Sequence, residues 1–227
     1  MSKKLITVLL AEDHTIVREG FRKMLELEND LQVVGEAEDG RQAVAMVKKL
    51  RPAVVLMDIA MPRLNGLEAT RQVLKAVPAT KVLILSAHSD DAYITDATDS
   101  GAVGFLLKQT SSHAVCEAIR EVQKGNTFFS PAVSRRLHEL EGKSPVRAGM
   151  PRPRNARLSS RETEVLQLIA EGKANKETAA ELGISIKTVE KHREKVMGKL
   201  NIHDTAGLTR YAISAGIIES SVQLTIV

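Results

Sequence analysis

The sequence has a single cysteine and no apolar run long enough to cross a membrane. Cys116 has no second cysteine with which to form an internal disulfide or a thiolate metal site. A membrane-spanning helix needs about 18 or more apolar residues, and no stretch of this 227-residue chain approaches that length. The first apolar stretch is interrupted by Thr7 and followed by Glu12 and Asp13, unlike a secretory signal peptide. We therefore expect a cytoplasmic protein with no membrane partner.

Charge is unevenly distributed along the chain. Residues 142–210 contain 14 lysines and arginines against 8 aspartates and glutamates, whereas residues 1–141 carry a net charge of −1. A near-neutral N-terminal part joined to a basic part suggests that only the second part meets a polyanion. Charge alone leaves chance asymmetry as an equal alternative. The apolar content of 43% with 26% charged residues is typical of a folded globular protein.

Five short apolar runs alternate with five segments of helical periodicity in the first 125 residues. The runs are rich in Val, Ile and Leu and do not alternate with polar residues, which is typical of parallel strands buried on both faces. Five βα units predict an α/β fold with a five-stranded, doubly wound parallel sheet. The runs are 6–10, 31–34, 53–57, 81–85 and 103–107, and the predicted helices are 14–27, 40–50, 66–76, 90–99 and 111–123.

The pattern changes after the fifth unit. Ser130 and Pro131 are typical of the start of a short helix, which we expect to end near Leu140. Residues 142–154 hold three prolines, two glycines and four cations, which indicates a mobile linker. The following 60 or so residues are predicted to be all helical. The predicted domains are an α/β domain over 1–125, a short helix and flexible linker over 126–157, and an all-α domain over 158–227.

Polar residues follow four of the five predicted strands where each strand ends. The first strand is followed by Glu12 and Asp13, and the other three by Asp58, Ser86 and Lys108. In a doubly wound sheet, ligands gather beyond the carboxyl ends of the strands. Three carboxylates there would repel one another, and bound Mg²⁺ would relieve that repulsion. Each residue taken singly is more often a solvated loop residue, and only their joint placement favours a site for phosphoryl transfer to a carboxylate.

These residues resemble the receiver domain of two-component response regulators over about residues 1–123. The resemblance rests on AEDH at 11–14, MDIAMP at 57–62 with Gly66, LSA at 85–87 and GFLLK at 104–108. It implies that Asp58 is the phosphoacceptor, with Lys108 beside it. It also implies a switch pair, Ser86 and Phe105, and a Mg²⁺ site formed by Glu12, Asp13, Asp58 and the backbone carbonyl of Ala60.

The sequence departs from the family pattern at three places. Gln109 follows Lys108 where many receivers have proline, so we expect no cis-proline loop there. Phe105 stands where the family often has tyrosine, which removes a hydrogen-bonding group. Ala60 and His88 occupy positions that influence dephosphorylation in the family, and they leave the lifetime of the phosphorylated state unpredicted. His88 either contacts the attacking water or is simply an exposed loop histidine.

Residues 175–192 have the spacing of a helix-turn-helix. Ala179 is small where two helices would cross closely, and Gly183 supplies the positive φ of the turn. Val189 would fill the core between the helices, and Ser185 would cap the second helix, about 186–199, which would enter the major groove. Helix pairs joined by a glycine turn are common, so this spacing alone does not establish DNA binding.

The longer stretch 158–217 resembles the LuxR-type helix-turn-helix, and with the receiver this is similar to the NarL/FixJ class. The matching segments are RE at 161–162, EVL at 164–166, NKE at 175–177, TVEKH at 188–192 and KL at 199–200. The resemblance implies that one set of residues faces the duplex: Lys187, Glu190, Lys191, Glu194 and Lys195. A second set would lie nearer the phosphates or the helix packing: Asn175, Lys176, Thr188 and His192.

The two glutamates of this set have more than one interpretation. Glu190 and Glu194 could accept hydrogen bonds from cytosine N4. Alternatively, they act as a negative filter, or they pair within the helix with Lys191, Lys195 and Lys199. The final helix, about 204–216, raises a similar choice, because its apolar stripe either covers the domain's own core or mediates self-association. The stripe consists of Leu208, Tyr211, Ala212 and Ala215.

Together, the residues and the resemblances predict a DNA-binding transcription factor that a sensor histidine kinase phosphorylates on Asp58. The expected partners are that kinase, double-stranded DNA and a second copy of the chain, and contact with RNA polymerase is allowed. We expect no turnover of an external substrate, because aspartyl-phosphate phosphohydrolases need a second acid where Ala60 stands. A receiver that no longer uses phosphate is the other alternative. The kinase, signal, operator and direction of regulation are not predicted.

Overall fold

A computed structural model of the chain describes residues 5–87, 91–129, 133–135 and 158–218. The chain divides into two compact units, Met1–Pro151 and Arg152–Val227. The predicted linker at 142–154 lies outside the described residues. So does the helix predicted to start at Ser130, apart from residues 133–135, which are helical. Within the described ranges, no helix is long and apolar enough to cross a membrane.

The first unit contains one parallel sheet, which confirms the predicted α/β class. Its strands lie in the order β2-β1-β3-β4-β5-β6. This order reverses direction at β1, and in such sheets the ligand crevice opens at the carboxyl ends of the strands beside the reversal. The strands are β1 Ile6–Ala11, β2 Leu31–Ala37, β3 Val54–Asp58, β4 Lys81–Ser86, β5 Gly104–Leu107 and β6 Phe128–Phe129.

Helices cover both faces of this sheet. Successive residues of β1 point to opposite faces, so Leu9 lies in one apolar cluster while Val8 and Leu10 lie in the other. The first cluster includes side chains of α2, α3 and α4, and the second includes side chains of α1 and α5. The helices are α1 Thr15–Glu26, α2 Gly40–Leu50, α3 Gly66–Ala76, α4 Asp91–Asp99 and α5 Ser112–Gln123.

The prediction of five strands was wrong by one. Phe128 and Phe129 form β6, which pairs in parallel with Gly104 and Phe105 of β5. The sequence pattern places these two residues in the predicted segment 126–157. A run of two residues carries no periodicity, so it cannot be distinguished from loop by its pattern. The pairing depends on Gly104, because a Cβ at that position would overlap the backbone of Phe128.

The second unit is helical, as predicted. Gly183 ends α7 in the left-handed conformation, with φ of 62°, and the Ser185 side chain accepts a hydrogen bond from the Thr188 amide at the start of α8. Ala179 and Val189 are buried. The predicted helix-turn-helix spacing is therefore what the chain forms. The helices are α6 Ser160–Ala170, α7 Asn175–Leu182, α8 Ile186–Leu200 and α9 Thr205–Ser214.

The start of α6 is tied to the end of α8. Ser159 and Glu162 form a capping box, in which the Ser159 amide donates to Glu162 Oε2 at 2.8 Å. Lys199 Nζ donates to the same oxygen at 2.6 Å. Burial raises the pKa of the Glu162 carboxyl, but the hydrogen bonds from Lys199 and Ser159 outweigh it and hold that pKa below its usual value. Lys199 is thus engaged in holding the domain together.

Thr178, on α7, provides a test of packing in this unit. The residue is fully buried, and its Oγ1 has no hydrogen-bond partner among the residues that the structure describes. Thr178→Val keeps the shape and removes the unsatisfied hydroxyl, so we expect it to stabilise the domain by about 1 kcal/mol. Urea unfolding followed by circular dichroism, fitted with one transition for each domain, would measure the change.

Thr70→Val is the matched control for this substitution. Thr70 is also fully buried, but its Oγ1 donates to the Gly66 carbonyl at 2.7 Å. The control should therefore lower the stability of the first domain by about 1 kcal/mol. If Thr178→Val destabilises the second domain by a similar amount, the Thr178 hydroxyl contributes a hydrogen bond and this account of it is wrong.

Candidate metal centre and nucleic-acid interface

The carboxyl ends of β1, β3 and β5 bring three of the predicted site residues into contact. Lys108 Nζ lies 2.8 Å from Glu12 Oε2 and 3.1 Å from Asp58 Oδ2. Glu12 and Asp58 are only 2% and 3% exposed. Asp13 is half-buried beside them. One lysine thus faces two buried carboxylates, and this arrangement leaves negative charge uncompensated.

The excess of negative charge affects the pKa of the Asp58 carboxyl. Burial, followed by the negative charge of Glu12, raises the pKa of the Asp58 carboxyl to about 7, although Lys108 opposes the shift. The pKa of Lys108 is raised as well, because attraction to Asp58 and Glu12 outweighs the effect of burial, which lowers it. A divalent cation would supply the missing positive charge.

The donor set fits a hard divalent cation. Ligand atoms of Glu12, Asp13, His14 and Asp58 all lie within 4.8 Å of one another. Three of these residues offer carboxylate oxygens, which Mg²⁺ prefers. Ala60, whose carbonyl the resemblance implies as a further ligand, is half-buried two residues past Asp58.

His14 was missed at the level of sequence. Its Nδ1 lies 3.0 Å from Asp13 Oδ1 and 3.1 Å from Glu12 Oε1. The negative charge of Asp13 is the largest contribution that raises the pKa of the imidazole. The adjacency of His14 to the acidic pair in the AEDH segment is the signal for it that the sequence contains.

The loop after β3 packs tightly beneath Asp58. The Ile59 amide donates to Asp58 Oδ1 at 2.8 Å, and the Gly66 amide donates to the Ile59 carbonyl at 2.8 Å. A Cβ on Gly66 would overlap the carbonyl of Asp58. Glycine is therefore required at the start of α3, because any larger residue would push the phosphoacceptor candidate out of place.

Ser86 and Phe105 lie on neighbouring strands next to this cluster. The Lys108 amide donates to the Ser86 carbonyl at 2.8 Å, which joins the ends of β4 and β5. Both Ser86 and Phe105 are buried, and Phe105 belongs to the same apolar cluster as Ile94 and Ala97 of α4. Phe105 therefore links β5 to the packing of α4. His88 lies outside the described residues.

One side of α8 is exposed and carries the residues predicted to face a duplex. Val189 and Val196 are buried on the opposite side. The exposed positions recur every three or four residues, which places them on a single face of the helix. They are Lys187, Glu190, Lys191, Glu194 and Lys195.

The second predicted set is less exposed. Lys176 is exposed in the first turn of α7, whereas Asn175, Thr188 and His192 are half-buried. Thr188 shares a hydrogen bond of 2.8 Å with Ser185. The three half-buried side chains pack between helices and remain partly accessible to a ligand.

Arg193 was missed by the sequence reasoning. Its Nη2 donates to Thr205 Oγ1 at 2.7 Å, and its Nη1 donates to Asn175 Oδ1 at 3.5 Å. Arg193 therefore connects α8 to the first residues of α7 and α9. No feature of the sequence distinguished this arginine from a surface cation.

The contacts distinguish between interpretations of the α8 glutamates and of the α9 apolar stripe. Lys199 pairs with Glu162, and no ion pair joins Glu190 or Glu194 to a lysine of α8 in the part of the chain that the structure describes. The intrahelical pairing of these glutamates thus finds no support. In α9, Leu208 and Ala212 are fully buried in the domain's own core and Tyr211 packs against it, so most of the predicted apolar stripe is used internally.

Known proteins share this combination of domains. Residues 8–120 match the response regulator receiver domain, and residues 156–212 match the bacterial regulatory proteins of the luxR family. The chain is 36% identical over 225 residues to the transcriptional regulatory protein DegU of Brevibacillus brevis, covering 94% of the chain and 95% of that protein. The chain belongs to the two-component response regulators. Its receiver precedes a LuxR-type DNA-binding domain, which confirms the predicted class and fold.

Two solved structures resemble this response regulator over almost its whole length. One is RcsB of Salmonella enterica serovar Typhimurium bound to a promoter in the presence of the phosphomimetic BeF₃⁻, with 30% identity and a TM-score of 0.57. It covers 92% of this chain and 98% of that one. The other holds two RcsB dimers on two parallel DNAs, with 30% identity, a TM-score of 0.57 and coverage of 93% and 99%.

Proposed function

We propose that a sensor histidine kinase phosphorylates Asp58 of this regulator, and that the phosphorylated protein binds double-stranded DNA as a homodimer to regulate transcription. The observation that carries the proposal is the buried Asp58 carboxylate held 3.1 Å from Lys108, in a chain that also has a LuxR-type domain. In the transfer, the bond from phosphorus to the kinase's histidine nitrogen breaks as a bond forms to an Asp58 oxygen. The proposed domains are a receiver extended from 1–125 to include β6 at Phe128–Phe129, and a DNA-binding domain over 158–227.

Lys108 and the acidic residues divide the work at this centre. Glu12, Asp13, Asp58 and the carbonyl of Ala60 would hold Mg²⁺, which supplies positive charge against the phosphoryl oxygens. The Lys108 ammonium, freed from Asp58 by the new phosphoryl bond, pairs with a phosphoryl oxygen. Because the site is buried, these charges act more strongly than they would in water. We infer that Asp58 is the only residue of this centre to be modified.

Ser86 transmits the change, next to a Phe105 ring that is already buried. We infer that the Ser86 hydroxyl turns to donate a hydrogen bond to the phosphoryl group, and that Phe105 keeps the buried position it has in this structure. The Ser86 carbonyl already accepts from the Lys108 amide. The shift therefore moves the ends of β4 and β5 together and alters the surface near α4, which favours the dimer.

The exposed face of α8 would bind DNA once Asp58 is phosphorylated. Lys187, Lys191 and Lys195 would contact phosphates or guanine edges, and Glu190 and Glu194 would select against phosphates or accept from cytosine N4. RcsB, with its dimers and promoter-bound form, supports DNA binding by a dimer. Contact with RNA polymerase would follow from promoter binding. The proposed location is the cytoplasm, where a bacterial regulator meets its DNA.

The regulator turns over no external substrate in this proposal. Ala60 stands two residues after Asp58, where aspartyl-phosphate phosphohydrolases carry a second acid, so this position supplies no general acid to release product. Loss of the phosphoryl group to water would return Asp58 to its starting state. That step resets the switch and consumes no other molecule.

Acetyl phosphate with Mg²⁺ tests the phosphorylation step. Wild-type protein should give a shifted species on a phosphate-affinity gel, and Asp58→Asn should give none. Asp99→Asn, which changes an exposed aspartate of α4, should label as the wild type does. A wild-type protein without an Asp58-dependent shifted species would show that this receiver does not use phosphate.

A further inference from the structure

Arg18 is a buried arginine on the first helix, directly beneath the acidic residues. Its side chain is 8% exposed, although it belongs to a surface helix. Its Nη1 donates to the Glu12 carbonyl at 2.7 Å and lies 3.5 Å from the Asp13 carbonyl. An arginine side chain is seldom buried unless it is paired and hydrogen-bonded, because removing its charge from water is costly.

The backbone of Glu12 is held on both sides. Its amide donates to the Ala37 carbonyl of β2 at 3.0 Å, and its carbonyl accepts from Arg18. Fixing both peptide groups fixes the direction of the Cα–Cβ bond between them. The Glu12 carboxylate is thereby aimed at Lys108 and the space beside Asp58. Arg18 supplies the second of these two restraints.

The remaining nitrogens of Arg18 anchor it to the sheet. Nη2 donates to Glu38 Oε1 at 3.1 Å, and Nε lies 3.5 Å from Glu36 Oε2. The planar guanidinium offers several donors in a fixed geometry, so this one side chain contacts both the Glu12–Asp13 backbone and the end of β2. A lysine could satisfy only one of these acceptors well.

We propose that Arg18 is a positioning residue for the metal centre, which sets Mg²⁺ affinity by orienting the Glu12–Asp13 backbone. This inference rests on the proposed function of that centre. Residues that orient metal ligands from behind typically contribute 10- to 100-fold to metal affinity. Arg18 acts through the carbonyls of the loop and touches neither the metal nor the phosphoryl group.

The alternative is that Arg18 only stabilises the fold through its ion pairs. Arg22, one turn further along α1, offers a matched comparison. It pairs with Glu26 at 2.8 Å and Glu36 at 2.6 Å, but it is half-exposed and, among the residues that the structure describes, has no hydrogen bond to the Glu12–Asp13 backbone. If Arg18 were purely stabilising, the Arg18 and Arg22 variants would differ in their free energy of unfolding. Their Mg²⁺ affinities would be the same.

Isothermal titration of the full-length, unphosphorylated protein with MgCl₂ tests the proposal. Arg18→Met should raise the Mg²⁺ dissociation constant about tenfold or more, Arg18→Lys by less, and Arg22→Met by under about twofold. Urea unfolding in EDTA measures the stability of the same four proteins. Arg18→Lys keeps the charge and one donor, so it serves if Arg18→Met does not fold.

The outcomes separate this inference from the proposed function. If the wild type binds Mg²⁺ and both Arg18 variants bind it equally well, the positioning role is overturned while the centre stands. Weakened binding in Arg22→Met to the same extent would also overturn it. If the wild type itself neither binds Mg²⁺ nor labels with acetyl phosphate, the proposed function fails first.

Discussion

Asp58→Asn is expected to stabilise the Mg²⁺-free receiver domain at pH 8 by about 2–4 kcal/mol. Asp58 is buried beside Glu12, and its pKa is raised to about 7 from the ordinary 3.8. That difference makes the ionised carboxylate cost the folded state up to about 4 kcal/mol. Asparagine keeps the shape and removes the charge, while Lys108 retains its pairing with Glu12.

The pH dependence distinguishes this effect from general repacking. Below about pH 3.8 the carboxyl is protonated in both folded and unfolded protein, so Asp58 costs nothing. As the pH rises from 3.8 through 7, the unfolded chain loses its proton first, and the folded state loses stability. Above pH 7 the full cost is present. The advantage of Asp58→Asn should therefore grow between pH 4 and pH 8.

Urea unfolding in EDTA at pH 4.5, 6 and 8 would measure this advantage. Glu19→Gln, which neutralises an exposed residue of α1, should be close to wild type at each pH. Added Mg²⁺ should stabilise the wild type at pH 8 more than Asp58→Asn, because the cation relieves the same repulsion. An advantage that is equal at all three pH values would show that charge is not its cause.

The double variant Lys191→Ala, Lys195→Ala is expected to lower operator affinity by about 30-fold or more near 0.1 M salt. Both lysines are exposed on one face of α8, and loss of a good DNA contact typically costs about 1–3 kcal/mol. If both contact phosphates, the slope of log K against log salt should fall by about 1.8. Phosphorylation of Asp58 should be unchanged.

Fluorescence anisotropy with an operator recovered by genome-wide mapping of bound DNA would measure the affinity. The control is Lys48→Ala, Lys49→Ala, which removes the same charge from exposed positions of α2. Its affinity should stay within about threefold of wild type, because these lysines lie outside the DNA-binding domain and exposed charges are screened in this salt. Equal losses in both double variants would mean that net charge, and not the α8 face, determines binding.

Much of the fold could be predicted because the local patterns were unambiguous. The predicted helices 40–50 and 66–76 coincide with Gly40–Leu50 and Gly66–Ala76. Asp39 and Asn65 cap them, so the sequence itself indicates where each helix begins. The site residues could be predicted once the strands were known, because parallel strands bring their carboxyl ends together whatever their separation in sequence.

The missed residues depend on tertiary contacts that no local pattern contains. Arg18 lies on a helix face that its charge would place in solvent, and its burial follows from acceptors contributed by another loop and strand. Arg193 reaches the starts of two helices. In both cases the arginine's position could be read from the sequence, but its partners could not.

The pairing of β6 with β5 has a practical consequence for anyone who divides this protein. A fragment that ends at residue 125 would lose Phe128 and Phe129 and turn β5 into a bare sheet edge. Bare edges recruit strands from other molecules, so such a fragment should aggregate on concentration. A fragment that retains residues 1–135 keeps the edge covered and should elute from a sizing column as a discrete species.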